Sequence, residues 1–148
     1  MSFVRMWMHL VFSTRNREPL LDRKLRHELQ KHIMSNCKGK GIFLVAINGY
    51  SEHLHCLISL GKDQTIAKVA QLIKGESSHW INENNFTKQK FNWQDDYFAA
   101  SVSQSQVEQV IGYIKKQEAH HAKTSFADEA EAFMNRYGWE KQKEEDFG

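Results

Sequence analysis

His53-Leu54-His55-Cys56-Leu57-Ile58-Ser59-Leu60 is an extended, mostly apolar run that opens with two histidines two places apart. Side chains alternate across a strand, so His53 and His55 share one face. Leu54, Cys56, Ile58 and Leu60 take the other face, and all four are apolar. One face reads as core. The other sets two imidazoles side by side, which is half of a metal site. Taken alone, an H-x-H pair is more often chance or plain hydrogen bonding, so its weight depends on what the rest of the chain supplies.

Upstream, Ile42–Ile47 is a continuous apolar run, expected as a central strand. Asn48-Gly49 is a hairpin turn signal, and the turn region extends through Tyr50-Ser51-Glu52. The two strands should therefore be antiparallel neighbours. Nearer the N-terminus, Phe3–Phe12 alternates: Val4, Met6, Met8, Leu10 and Phe12 are apolar, and Phe3, Arg5, Trp7, His9 and Val11 are mixed. A basic loop, Thr14-Arg15-Asn16-Arg17, follows and Pro19 closes it. Asp22 is placed to cap a helix with Leu21, Leu25, Leu29 and Ile33 along one stripe. Arg23, Lys24, Arg26 and Lys31 are assigned to its outer surface, and Gly39 and Gly41 stop it.

Downstream, Thr65 caps a helix carrying Ile66, Val69, Ile73 and Trp80, and Asn82–Lys90 reads as loop. Tyr97–Ser103 alternates as a fourth strand. Ser105-Gln106-Val107-Glu108 is a capping-box pattern opening a helix with Val107, Val110, Ile111 and Ile114 as its apolar stripe. Phe126, Phe133, Met134 and Tyr137 suggest a short helix packing back. Residues 138–148 form a charged tail expected to fray. The order β-α-β-β-α-β-α-α predicts an α+β fold, a ferredoxin-like split βαβ with an antiparallel sheet and helical additions, as one domain over 1–148. Its two crossover helices should cover one sheet face and leave the imidazole face open for a ligand.

The chain has 148 residues, 41% of them hydrophobic, enough for one domain with a real core. No apolar run approaches the ~20 residues that span a bilayer, and Met1–Phe12 lacks a signal-peptide layout. Cys37 and Cys56 form no CxxC pair, which points to a reducing cytoplasm. Charge is uneven. Residues 1–40 hold nine Lys or Arg against three acids, while residues 91–148 hold six against eleven. A basic N-terminal third suits a local polyanion surface, and equally a solvated helix face.

Tyr113 and Gln117 are four residues apart, on one side of the third predicted helix and beside its apolar stripe. His120 continues that edge. If the stripe packs near the sheet, a phenol and an amide oxygen approach the two imidazoles. Mixed nitrogen and oxygen donors without thiolate favour Mg²⁺ or Mn²⁺ over a structural zinc. Each part also has a plainer reading. Tyr113 suits a half-buried contact, Cys56 suits core, and His9, His27, His32 and His79 lack organised spacing and read as surface or packing residues. His120-His121 suits phosphate contact or a favourably charged helix end.

In combination these residues resemble the single-tyrosine HUH transposases of the insertion-sequence two-hundred type. The resemblance runs from Trp7-Met8-His9-Leu10-Val11-Phe12-Ser13-Thr14-Arg15-Asn16-Arg17 to about His121. His53-Leu54-His55 matches the HUH signature. Tyr113-Ile114-Lys115-Lys116-Gln117, with His120-His121 after it, matches the nucleophile helix, and Trp93-Gln94 and Ala100-Ser101-Val102-Ser103 match the segment before it. Asp95-Asp96-Tyr97-Phe98 departs from a more glycine-rich pattern. The resemblance implies a DNA transposase that cleaves and rejoins hairpin-bearing single-stranded DNA through a 5′-phosphotyrosine. Tyr113 would be the nucleophile, and His53, His55 and Gln117 would hold Mg²⁺ or Mn²⁺. It further implies a homodimer, in which the tyrosine helix can serve the partner's HUH pair, and a DNA-associated bacterial or archaeal setting. Arg15, Arg17, Arg23 and His120 are candidates for DNA contact, and Trp7 and Tyr50 for base stacking or packing. The alternatives are a domesticated HUH nuclease and a noncatalytic ferredoxin-like nucleic-acid-binding module. The module would need aromatics where this chain puts histidines.

Overall fold

A computed structural model describes residues 1–137; the expected frayed tail at 138–148 lies outside the described residues. The chain runs β1 (Met6–Ser13), α1 (Arg23–Gly39), β2 (Phe43–Tyr50), β3 (His53–Leu60), α2 (Ile66–Glu83), β4 (Phe98–Val102), α3 (Val107–Lys115), α4 (Gln117–His121) and α5 (Phe126–Tyr137). All strand pairs are antiparallel, in the order β2-β3-β1-β4. That is the predicted split βαβ arrangement, in which β3 separates β1 from β2 and β1 separates β3 from β4.

Local chemistry fixes the crossover helices. The Asp22 carboxylate accepts from the Leu25 backbone N–H at 2.8 Å, and Thr65 Oγ1 accepts from the Lys68 N–H at 3.1 Å. Each cap contributes about 1 kcal/mol. Leu25, Leu29 and Ile33 of α1, with Val69 and Ile73 of α2, bury against Leu10, Phe12, Leu54, Cys56 and Ile58 of the central strands. Fully burying each such Leu or Ile stabilises the fold by about 1.5–3 kcal/mol.

Several expectations need correction. β1 starts at Met6 rather than Phe3, because Met6 pairs with Leu60, the last residue of β3; Phe3 is 89% exposed. β2 is an edge strand rather than a central one, since β3 lies between it and β1. Asn48-Gly49 is not a turn: Asn48 pairs with His55, Gly49 with Leu54 and Tyr50 with His53, and the chain reverses at Ser51-Glu52. Glycine is required at 49 because the strands approach closely; a Cβ there would lie 2.0 Å from the His53 carbonyl oxygen. Arg26 is buried rather than on the outer surface. Its guanidinium donates to the Leu21 carbonyl and to Glu118 Oε1, each at 2.9 Å.

The third predicted helix is broken. Ser105 sits in a 3-10 turn, Gln104–Gln106, and caps nothing, its hydroxyl facing Ser103 Oγ at 3.2 Å. Lys116 (φ −96°, ψ 14°) separates α3 from α4, so Tyr113 and Gln117 lie on successive short helices. The face bearing the imidazoles is also closed. Val107 and Ile114 of α3 pack on Trp7, Ala46 and Leu57 at one end. Phe126 and Phe133 of α5 pack on Val11 at the other. The sheet is covered on both sides, because β1 and β3 carry apolar residues on both faces. Among the described residues, no helix is long and apolar enough to cross a membrane.

Candidate active site

His53 and His55 are the first and third residues of β3, and both are fully buried. Their ring centroids are 5.1 Å apart. Behind His53, Nδ1 faces Glu52 Oε1 at 2.7 Å; behind His55, Nδ1 faces His9 Nε2 at 2.8 Å. The break at Lys116 turns α4 so that Gln117, also fully buried, sets its carbonyl oxygen 3.0 Å from His53 Nε2. The predicted pair and the predicted amide do meet.

α5 brings in a residue that the sequence reading missed. Glu129 is 3% exposed and lies at the centre of the cluster. Its Oε1 is 3.0 Å from His55 Nε2, 3.1 Å from His121 Nε2 and 3.4 Å from His53 Nε2. Its Oε2 accepts a short hydrogen bond from the Tyr113 hydroxyl and a 3.3 Å bond from Gln117 Nε2, and lies 3.1 Å from His120 Nε2. One carboxylate thus touches Tyr113, Gln117, His120 and both HUH imidazoles. The signal was present: Phe126, Glu129, Ala130 and Phe133 follow i, i+3, i+4, i+7, which puts Glu129 on the buried stripe of its helix.

His121 and His9 were also missed as members. His121 Nδ1 donates to the Thr124 carbonyl at 2.7 Å, while its buried Nε2 faces Glu129 Oε1 at 3.1 Å. His9, read as packing or surface, is 3% exposed and braces His55. His27, His32 and His79 lie outside the cluster, as expected. Arg15, Arg17 and Arg23 are exposed and His120 is half-buried. Arg17 lies over the Phe126 ring, 5.0 Å from its centroid. Trp7 is packed against α3, its indole N–H donating to Gln104 at 2.8 Å, which removes it as a base-stacking candidate.

Burial sets the electrostatics. It pushes the His9 imidazole down to about 3, with His55 adding to the effect, and His55 down to about 4 against the pull of Glu129. Burial alone would raise Glu129, but His121, His55 and the Tyr113 hydroxyl outweigh it, and its carboxyl falls well below the usual range. Burial opposes protonation of His121, yet Glu129, the Thr124 carbonyl and Glu52 raise its pKa overall. Nitrogen and oxygen atoms of His53, His55, His121 and Glu129 lie within 4.8 Å of one another. The donors suit a divalent cation, and three buried Nε2 atoms converging on one carboxylate oxygen fit one.

No curated protein sequence matches the chain significantly. Solved structures share its fold, among them two transposases. A crystal structure of a candidate transposase from Deinococcus radiodurans R1 superposes with a TM-score of 0.64 at 21% identity, covering 78% of this chain and 93% of that one. A REP-associated tyrosine transposase bound to a REP hairpin superposes at 0.59 with 17% identity, covering 96% of this chain and 74% of that one. A family profile described as "Transposase IS200 like" matches residues 2–117, a stretch that includes His53, His55, Tyr113 and Gln117. The chain belongs to the IS200-like transposase family.

Proposed function

We propose that this transposase cuts and rejoins hairpin-bearing single-stranded DNA, with Tyr113 as the nucleophile. The observation that carries the reading is the meeting of Tyr113 and Gln117 with His53 and His55 around one buried carboxylate. His53, His55 and Gln117 would hold a divalent ion, Mg²⁺ or Mn²⁺, which when bound supplies charge to offset the scissile phosphate. Tyr113 Oη would attack phosphorus, forming a phosphotyrosine on the 5′ side and releasing a 3′-hydroxyl. A second 3′-hydroxyl would reverse the step, so rejoining consumes no ATP. Glu129 holds the phenol in place for this, and Glu52 and His9 hold the two imidazoles.

That a structural neighbour is bound to a REP hairpin supports a hairpin substrate. Arg15, Arg17 and Arg23 remain exposed for backbone contact. Arg23 and Arg26 line a cleft of about 460 Å³ with Tyr50, whose ring lies 5.6 Å from His121. That cleft, which Asp22 and Glu118 also line, gives a flexible strand a polar, partly aromatic approach to the cluster. The family resemblance carries a homodimer with it. Each copy would hold a whole site, so the second copy would bring a second DNA end rather than missing residues.

The test is incubation with labelled hairpin single strands, with and without Mn²⁺, followed by denaturing electrophoresis. A metal-dependent protein–DNA band that disappears in Tyr113→Phe supports the reading. An undiminished band in that variant overturns it.

A further inference from the structure

Three imidazoles, rather than two, present Nε2 to one point. At each, the opposite ring nitrogen is already engaged. His53 Nδ1 faces the Glu52 carboxylate at 2.7 Å, His121 Nδ1 faces the Thr124 carbonyl at 2.7 Å, and His55 Nδ1 faces His9 Nε2 at 2.8 Å. Glu52 and Thr124 offer only acceptors, so the ring proton of neutral His53 and His121 sits on Nδ1 and leaves Nε2 bare. The same holds for His55 when His9 accepts. This is the second-shell pattern that fixes a metal-binding imidazole.

What the bare nitrogens face is a carboxylate. Glu129 Oε1 lies 3.0, 3.1 and 3.4 Å from the Nε2 atoms of His55, His121 and His53. Lone pairs at those separations repel, and a single proton satisfies only one imidazole. A cation among them satisfies all. With metal–ligand bonds of about 2.1 Å, adjacent ligands stand about 3.0 Å apart in an octahedral shell and about 3.4 Å in a tetrahedral one. The three separations from Glu129 Oε1 fall in that range, and all four donor atoms lie within 4.8 Å of one another.

We propose that His121 and Glu129 are direct ligands of the ion beside His53, His55 and Gln117, so that the centre is a shell of three imidazoles, one carboxylate and one amide oxygen. This rests on the reading of His53 and His55 as a metal pair and deepens it. Three imidazoles favour first-row transition ions over the hard Mg²⁺; Mn²⁺ is the weakest binder of that series, and the ions from Fe²⁺ to Zn²⁺ would bind more tightly. Both added ligands lie beyond residue 117, after the stretch that the family profile matches. Glu129 also ties the ion to the nucleophile, one oxygen on each.

The test is Mn²⁺ titration of the chelator-stripped full chain, reading loss of the free-ion electron paramagnetic resonance signal, without DNA. One Mn²⁺ per chain is expected, with Mg²⁺ failing to displace it at equal concentration. His121→Ala and Glu129→Gln should each raise Kd more than tenfold, and Glu129→Asp, which keeps the charge, should fall between. Circular dichroism confirms folding; if Glu129→Gln unfolds, His121→Ala and Glu129→Asp decide. Unchanged Kd in the folded variants overturns the shell. Unchanged Kd with the Tyr113 adduct intact refutes only this ligand set. Normal Mn²⁺ binding with no adduct from any hairpin strand refutes the cleavage reading and leaves the shell standing.

Discussion

The Tyr113 hydroxyl donates a hydrogen bond to Glu129, a residue 16 places later in the chain and on a different helix. The phenol is thereby held against the imidazole pair of its own chain.

A mixing experiment follows from that pairing. Tyr113→Phe chains retain intact imidazoles, and His55→Ala chains retain an intact phenol. With the site built within one chain, the mixture of the two should form no more DNA adduct than either variant alone. Restoration to a quarter or more of the activity expected for shared sites would show that the tyrosine serves a partner.

Removing either imidazole should silence the metal-dependent reaction. His53→Ala and His55→Ala are each expected to reduce adduct formation to background while hairpin binding, read by mobility shift, stays within a few-fold. EDTA should do the same to the unaltered protein. Cleavage that continues in EDTA would remove the metal from the mechanism.

The metal-free chain should lose stability in mild acid. His9 and His55 are held down to about 3 and about 4, but both ionise near 6.5 when unfolded. Between those values the unfolded state binds more protons, so stability falls as pH drops from about 6.5 toward 4. Glu129, its pKa depressed, loses its contribution on the same acid side, below its ordinary 4.5. His121, its pKa raised, contributes stability that is complete below 6.5 and is lost as pH rises through its folded value. Melting temperature should therefore peak around neutrality and decline toward pH 4. A flat profile from 7 to 4 would contradict buried, neutral His9 and His55.

Gly49→Ala should disturb the site from outside it. The new Cβ would lie 2.0 Å from the His53 carbonyl oxygen and 2.9 Å from Leu54 Cα, both backbone atoms that cannot swing away. A loss on the order of 1–3 kcal/mol is expected, read from the denaturant midpoint, together with weaker Mn²⁺ binding as His53 shifts. An unperturbed midpoint would mean that the hairpin end adjusts freely.

The sequence carried the strand pair and its register signal unevenly. His53 and His55 were legible because period-two alternation is a local rule, and Leu54, Cys56 and Ile58 confirmed the buried side. Tyr113 and Gln117 were legible through their family spacing, although the chain breaks at Lys116 and reaches the same meeting by another path. Asn48-Gly49 misled because glycine serves both turns and close strand contacts, and only the register tells which. Glu129 was hidden among Asp128 and Glu131, where an acidic run reads as a solvated helix face. Its place on the stripe with Phe126 and Phe133 matters only once α5 is known to lie on the sheet. His9 could not be chosen over His27 or His79 without that packing.

The Phe126 ring stacks on His53 at 4.2 Å, with planes 12° apart. In that arrangement the imidazoles have no contact with solvent. We expect a strand to reach these two imidazoles only after the Phe126 ring is displaced, so that the first encounter would be limited by that opening and not by collision. Under excess DNA the rate of adduct formation should level off at a value independent of strand concentration, and weakening the stack with Phe126→Ala should raise that ceiling.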